Sequence, residues 1–218
     1  MIDPRYLLGL LLLAGLAITI SIITTADGNY NNLINSISIG IVVSTIFYLL
    51  VIYLPELRRR KIVTKAFVEQ YDSFRKNCIG TFLILSQSQE YQDRDNLLVH
   101  EEFRRYFKNK NKHGEDRWYA VANSIQENKY YLDEIIFELQ RLNDEIKYIK
   151  NTIYLFDSEV FDFLNRLSQT IHRYERTEQE YDDIKSFTGF LWTVFTGWNW
   201  VDGYRNADYL EKMISRVK

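Results

Sequence analysis

The residues of this chain that are best suited to chemistry are an arginine and a histidine in one polar segment. Arg94 is followed by Asp95, and His100 comes shortly after them. Arg166 and His172 repeat the spacing without a polar residue after the arginine. An imidazole can act as a general acid or base near neutral pH, and a guanidinium can hold a phosphate. The spacing therefore allows phosphodiester cleavage, and a helix-capping loop with exposed side chains is the alternative.

The segment from Arg94 to His100 resembles the arginine, polar residue and histidine pattern of the HEPN ribonucleases, which are also all-helical. The resemblance implies that His100 is a general acid/base and that Arg94 binds phosphate. It covers this short segment alone. A membrane-tethered ribonuclease is therefore an alternative function rather than the main expectation.

No other pattern in the sequence indicates catalysis or a cofactor. The chain has no P-loop, nucleophile elbow, HExxH motif or zinc-ligand spacing. Its one cysteine excludes a disulfide framework and a thiolate zinc site. Its three scattered histidines argue against a metal enzyme. We therefore expect a protein that is not an enzyme, with no metal, no cofactor and no small-molecule substrate.

A basic stretch follows His100 and is interleaved with Tyr106 and Phe107. Its members are Arg104, Arg105, Lys108, Lys110 and Lys112. Basic residues beside aromatic ones can hold single-stranded nucleic acid or touch anionic lipid headgroups, and a solvated helix end is the alternative. The net charge of −2 argues against broad nucleic-acid binding, so we expect a local contact with a partner or nucleic acid.

An aromatic segment lies at 187–204, near the C-terminus. Its apolar run from Phe187 to Val201 is too short to span a bilayer. Tryptophan favours places that are apolar on one side and wet on the other. The segment is expected to lie at the membrane interface, to contact a partner or to fill the helical core, and the contact candidates are Trp192, Trp198 and Trp200.

Two uncharged apolar runs precede the rest of the chain and are expected to anchor it to a membrane. They cover 6–25 and 34–54, and each is long enough for a helix that crosses a bilayer core of about 30 Å. The short polar segment between them predicts an antiparallel transmembrane hairpin. A signal peptide is the alternative for the first run, but its apolar stretch is longer than is usual for one.

The charges beside the two runs predict their orientation. The hairpin loop has no lysine or arginine, and a basic cluster follows the second run: Arg58, Arg59, Arg60 and Lys61. By the positive-inside rule, both termini of this multi-pass protein are expected to be cytoplasmic. The cluster is expected to anchor the hairpin at the inner leaflet of the lipid bilayer.

Small residues recur at every fourth position on the predicted spans, where two helix backbones can approach closely. They are Ser36, Gly40 and Ser44 on the second span, and Ala17 and Ser21 on the first. Such a face predicts packing of the hairpin on itself. The alternative is packing between protomers in a homo-oligomer.

The remainder of the chain, 57–218, predicts a cytoplasmic all-α domain, so that the domains are 1–56 and 57–218. Apolar residues recur in steps of three and four along a coiled-coil-like seam from Leu132 to Ile153. Asp95 is expected to cap one helix and Asp157 or Ser158 another. The seam can be intramolecular or intermolecular.

The layout of the whole chain resembles the small two-transmembrane effectors of bacterial anti-phage defence systems, including those associated with retrons. The resemblance implies a toxin that a cognate protein or nucleoprotein complex holds inactive, and that disrupts the inner membrane on infection. In retron-type systems this complex is a reverse transcriptase with its DNA–RNA hybrid. A passive membrane anchor or adaptor is the remaining alternative.

Overall fold

The computed structural model describes residues 4–26, 32–153, 157–199, 203–204 and 208–217. The chain divides into two units, Met1–Ile62 and Val63–Lys218. The expected domain boundary at 56/57 lies slightly before this division.

The described chain is mostly helical, which confirms the all-α class. The helices are α1 (Pro4–Ala26), α2 (Asn32–Phe47), α3 (Leu54–Leu85), α4 (His100–Lys108), α5 (Arg117–Glu127), α6 (Lys129–Thr152), α7 (Ser158–Tyr174), α8 (Tyr181–Thr196) and α9 (Tyr209–Ser215). A π-helical segment, Tyr48–Tyr53, joins α2 to α3, and a 3₁₀ helix, Arg94–Leu98, precedes α4. Two short antiparallel strands, β1 (Trp198–Asn199) and β2 (Gly203–Tyr204), lie between α8 and α9.

In the first unit, α1 and α2 pack antiparallel. Near one end, Ser21 Oγ donates to Asn35 Oδ1 at 2.5 Å, and near the other, Leu10 and Tyr48 line one groove. Most apolar side chains of both helices remain exposed, among them Leu8, Leu12, Leu16, Ile22, Val43 and Phe47. Among the described residues, one continuous helical stretch is long and apolar enough to cross a membrane by length and composition. It covers Ile34–Leu85 and runs through α2, the π-helical segment and α3.

The second unit has one contiguous core. The expected seam residues of α6 are buried, and α6 packs against α7, whose Val160, Leu164 and Ile171 are also buried. The seam is thus intramolecular in this chain. Asp157 caps α7 by accepting hydrogen bonds from the backbone N–H groups of Glu159 and Val160, as expected.

A cluster of aromatic rings closes the core where α3, α4 and α8 meet. The ring centroid of Phe195 lies 5.1 Å from that of Phe82 and 5.3 Å from that of Phe103. The part of the aromatic segment that belongs to α8 therefore contributes to the core. The helix ends at Gly197, whose φ of +66° favours glycine.

One helix start differs from the expectation. Asp95 lies inside the 3₁₀ helix, and α4 begins at His100 after Val99, which makes no side-chain cap. The expected Asp95 cap is therefore wrong. The side chain of Leu97 is buried in the core. Burial of Leu97, rather than a helix cap, therefore holds the 3₁₀ helix in place before α4.

Candidate functional site

The two residues of the ribonuclease-like segment are not brought together. Arg94 is exposed on the 3₁₀ helix, and its side chain forms no hydrogen bond or ion pair with another described residue. His100 has a side chain that is 2 % exposed. Its Nδ1 lies 2.8 Å from the carbonyl oxygen of Phe195. Neither the access nor the pairing that RNA cleavage requires is present.

His100 belongs instead to a buried polar cluster with Tyr71, Arg75 and Asp208. Asp208 Oδ2 accepts a hydrogen bond from Tyr71 Oη at 2.7 Å and lies 3.2 Å from Arg75 Nη1. It also lies 3.7 Å from His100 Nε2. Arg75 Nη2 donates to the carbonyl of Leu98. The cluster therefore ties α3, α4 and the start of α9 together.

The charges in this cluster are confined to one ion pair. Burial lowers the pKa of His100, although Asp208 and the Phe195 carbonyl oppose the shift. Burial also raises the pKa of Tyr71 well above its usual range, with a further contribution from Asp208. Near neutral pH the cluster thus holds the Arg75–Asp208 pair beside a neutral imidazole and a neutral phenol.

The second oxygen of Asp208 performs a different task. Its Oδ1 accepts hydrogen bonds from the backbone N–H groups of Leu210 and Glu211, so that Asp208 caps α9. Tyr71 and Arg75 follow Phe67 at a helical spacing on an otherwise apolar face of α3. Polar residues within that stripe were the available sequence signal, which the analysis of motifs missed.

Part of the basic stretch meets the aromatic segment at Tyr204. The guanidinium carbon of Arg104 lies 4.5 Å, and Lys108 Nζ 4.8 Å, from the centre of the Tyr204 ring. Trp192 Nε1 donates to Tyr204 Oη at 3.4 Å. We call these four residues the Tyr204 surface. Residues that are far apart in the sequence therefore form one patch, in which Lys108 and Tyr204 are exposed and Arg104 and Trp192 are half-buried.

The pKa of the Tyr204 hydroxyl reflects the positive charges of the Tyr204 surface. Partial burial would raise the pKa of Tyr204, but the hydrogen bonds from Trp192 and Lys108 and the charges of Lys108 and Arg104 outweigh it and lower the pKa. The surface thus favours negative charge. Tyr204 was missed because no local sequence pattern places it against α4.

The other contact candidates do not all join this surface. Arg105 pairs with Glu102 instead. Lys110 and Lys112 are exposed in the turn between α4 and α5. Trp198 pairs with Tyr204 in the register of β1 and β2, and Trp200 lies outside the described residues.

An aromatic cleft of about 360 Å³ lies beside the Tyr204 surface, between α4, α5 and α8. Lys108 and Trp192 belong to both. The other side chains important for its chemistry are Trp118, Tyr119, Tyr181 and Lys185. The ring centroids of Trp118 and Trp192 are 5.1 Å apart.

The small residues of the first unit divide between two faces. Ala17 is buried and Ser21 bonds to Asn35, so both face the other helix of the pair. Ser36, Gly40 and Ser44 are exposed. On α2 the buried small polar residues are Ser38 and Thr45 instead. The expected small-residue face of α2 is therefore not its main contact with α1.

The basic cluster after the π-helical segment lies on the first turns of α3. Arg60 Nε lies 3.2 Å from Glu56 Oε1, which is an i,i+4 pair. Arg58, Arg59 and Lys61 are exposed. Their side chains are accessible to an anionic surface, as the anchor hypothesis requires.

No protein-family model, curated protein or solved structure matches this chain.

The arrangement supports binding better than catalysis. Over the described ranges, no group of three His, Cys, Asp or Glu side chains could hold a metal ion. The single buried histidine has both ring nitrogens directed at protein groups. The accessible chemistry is that of the Tyr204 surface and the aromatic cleft, where aromatic faces adjoin lysine and arginine.

Proposed function

We propose that this chain is a membrane-anchored effector of a bacterial anti-phage defence system. In this proposal it disrupts the integrity or potential of the inner membrane when a cognate partner complex releases or triggers it. The observation that carries the proposal is the apolar exterior of α1 and α2. Leu8, Leu12 and Leu16 are each about half exposed or more, and such a surface is stable in lipid rather than in water.

In the proposed topology, α1 and α2 both span the membrane as a hairpin. The antiparallel packing of the two helices supports it, as does the absence of charged residues from 6–25 and 34–54. The exposed Arg58, Arg59 and Lys61 favour a cytoplasmic position for the start of α3, and hence for both termini. The second unit then lies in the cytoplasm.

The effector activity requires no active site. It needs two arrangements of the spans with similar free energies and a partner that stabilises one of them. The exposed Ser36, Gly40 and Ser44 offer a small-residue face for span packing between copies. The Tyr204 surface offers an electropositive contact for the restraining complex, for which a reverse transcriptase with its DNA–RNA hybrid is one candidate.

The test is the membrane potential of living bacteria after induction of the chain alone. We expect rapid loss of the signal from a potential-sensitive dye, both in wild type and in Arg94→Ala. Arg94 is exposed, so its replacement removes the phosphate binder of a ribonuclease without unfolding the protein. Growth arrest with an intact potential that Arg94→Ala abolishes would instead establish the ribonuclease. Normal growth and potential, both in the chain alone and in the chain expressed with its neighbouring genes during phage infection, would leave a passive anchor and refute the effector.

Span packing can be tested in the same cells with a matched pair of variants. Gly40 and Gly15 both lie in apolar helices, and a Cβ atom added at either meets no other atom within 4 Å. Gly40→Ile is therefore expected to fold yet to abolish depolarisation, because it thickens the small-residue face. Gly15→Ile is expected to leave depolarisation unchanged. Equal depolarisation by both variants would rule out this face.

A further inference from the structure

We propose that the aromatic cleft binds one nucleotide, with the base held against aromatic rings and the phosphate held by lysine. The cleft is the space between α4, α5 and α8. It is bordered by four aromatic side chains and two lysines: Trp118, Tyr119, Tyr181, Trp192, Lys108 and Lys185. This inference goes beyond the effector proposal, because it concerns only what the second unit binds.

The size and lining of the cleft suit a planar ligand. Its volume of about 360 Å³ is within the range of about 300–1,000 Å³ that small-molecule sites occupy. Tyr119 and Tyr181 are 61 % and 59 % exposed. Their rings are therefore accessible to a ligand, and a nucleobase stacks on such faces whatever its identity.

Two lysines give the cleft its preference for an anion. Lys185 Nζ lies 5.7 Å from the centre of the Tyr181 ring, and Lys108 Nζ lies near Tyr204 on the α4 side. Neither lysine forms an ion pair with a carboxylate in the described part of the chain. Other surface lysines do so, among them Lys65, Lys129 and Lys147. An anionic group in the cleft would therefore find ammonium groups that are not already neutralised.

The polar groups of the cleft narrow the class of ligand. Gln126 contributes an amide that can bond to the edge of a base. Asn123 Nδ2 already donates to Glu115 Oε1 at 2.9 Å, so Asn123 offers its Oδ1 as an acceptor. Asp116 contributes a carboxylate, which can accept from an exocyclic amino group but repels additional anionic charge. The cleft therefore suits an amino-bearing base with a single phosphate better than a nucleoside triphosphate.

No small-molecule substrate was expected from the sequence, in which these residues are scattered. Lys108 belongs to α4, Trp118 and Asn123 to α5, and Tyr181 and Lys185 to α8. Only the packing of the three helices brings them to one cleft. A free nucleotide and a nucleotide within a single strand share this chemistry, so both are tested below.

The experiment is an isothermal calorimetric titration, in which adenosine 5′-monophosphate is added to the full-length chain in detergent micelles. We expect saturable binding with one site per chain, and at least about tenfold weaker binding of adenosine and of inorganic phosphate. Lys185→Glu and Tyr181→Ala are each expected to weaken binding by about tenfold. Both side chains are exposed, so the fold is retained.

Matched controls lie elsewhere on the same unit. Lys76 and Tyr148 are exposed and do not line the cleft, so Lys76→Glu and Tyr148→Ala are expected to bind like wild type. A tetra-adenylate that binds more tightly than the mononucleotide would identify a single strand as the source. Equal or weaker binding of the tetra-adenylate would identify the free nucleotide.

Two results would overturn the proposal. One is the absence of binding by both adenylate probes at concentrations up to about 1 mM. The other is binding that Lys185→Glu and Tyr181→Ala leave unchanged. Loss of nucleotide binding would not affect the effector proposal, since membrane depolarisation is measured independently.

Discussion

Asp208 Oδ2 lies 3.2 Å from Arg75 Nη1, and both side chains are less than a tenth exposed. The two residues join the long helix α3 to the last helix of the chain. Because Asp208 also caps α9, one carboxylate both neutralises a buried guanidinium and starts a helix. The buried polar cluster is therefore central to the stability of the second unit.

Replacement of Asp208 by asparagine is expected to lower the free energy of unfolding by about 3–5 kcal/mol, because it leaves the Arg75 charge buried without a partner. Because asparagine is also a good N-cap residue, the loss of unfolding free energy can be attributed to the missing charge and not to a missing helix cap. Chemical denaturation of the full chain in detergent, followed by circular dichroism, measures it.

The matched control for this prediction is Asp144→Asn. Asp144 pairs with Lys147 on the surface of α6, where such pairs contribute about 0–1 kcal/mol. Similar losses in the two variants would show that the Arg75–Asp208 pair has no special weight.

The stability of the second unit is expected to fall as the pH drops below about 6.5, the ordinary pKa of histidine. The pKa of His100 is lowered in the folded state, mainly by burial. Between the ordinary and the lowered pKa, the unfolded chain binds a proton that the folded chain does not. The free energy of unfolding therefore decreases with falling pH over this window.

Unfolding of His100→Gln across the same pH range isolates this effect. We expect a smaller decrease than in wild type, because the titrating group is gone. His113→Gln serves as the control, since His113 is exposed in the turn between α4 and α5. A wild-type pH profile in His100→Gln would assign the loss of stability to other groups.

The proposed topology predicts which positions a membrane-impermeant maleimide can label. The one native cysteine, Cys78, is 1 % exposed, so the background reaction is small. Gly28→Cys, in the segment between the apolar runs, is expected to react in intact spheroplasts. Lys76→Cys, on the exposed side of α3, is expected to react only after permeabilisation. Labelling of both positions, or of Lys76→Cys alone, in intact spheroplasts would contradict a hairpin with cytoplasmic termini.

Contact with the proposed restraining complex is expected to depend on two members of the basic stretch. Arg104 and Lys108 meet at Tyr204, whereas Arg105 pairs with Glu102. The double variant Arg104→Glu, Lys108→Glu is therefore expected to reduce co-purification with the products of neighbouring genes by at least about tenfold.

The control for the contact surface is Lys112→Glu, which reverses a charge outside the Tyr204 surface. It is expected to co-purify like wild type. Co-purification that survives the double variant would place the contact elsewhere on the chain.

The helical architecture could largely be predicted from local patterns. The α6 seam and the Asp157 cap depend on residues a few positions apart, so sequence spacing is sufficient to find them. The start of α4 could not be predicted in this way. Asp95 lies inside a 3₁₀ helix that the buried Leu97 holds in place, so it does not cap α4.

The candidate sites depend on contacts between distant parts of the chain. Tyr71 and Asp208 are 137 positions apart, and no spacing rule connects them. Arg94 and His100 show the opposite case, because they are close in sequence but His100 is buried and contacts Phe195 and Asp208 instead of Arg94. The basic stretch and Trp192 were recognised separately, but Tyr204, which joins them, had no local signal.

In the proposed function, the hairpin itself permeabilises a membrane. The most direct measurement is the decay of a potassium diffusion potential across liposomes of bacterial lipid that contain the purified full-length chain. Insertion is verified first, by resistance to alkaline extraction. Wild type and Gly15→Ile are predicted to collapse the potential, and Gly40→Ile is predicted to preserve it. A potential that persists with inserted wild-type chain, as in protein-free liposomes, would show that the hairpin does not permeabilise a membrane.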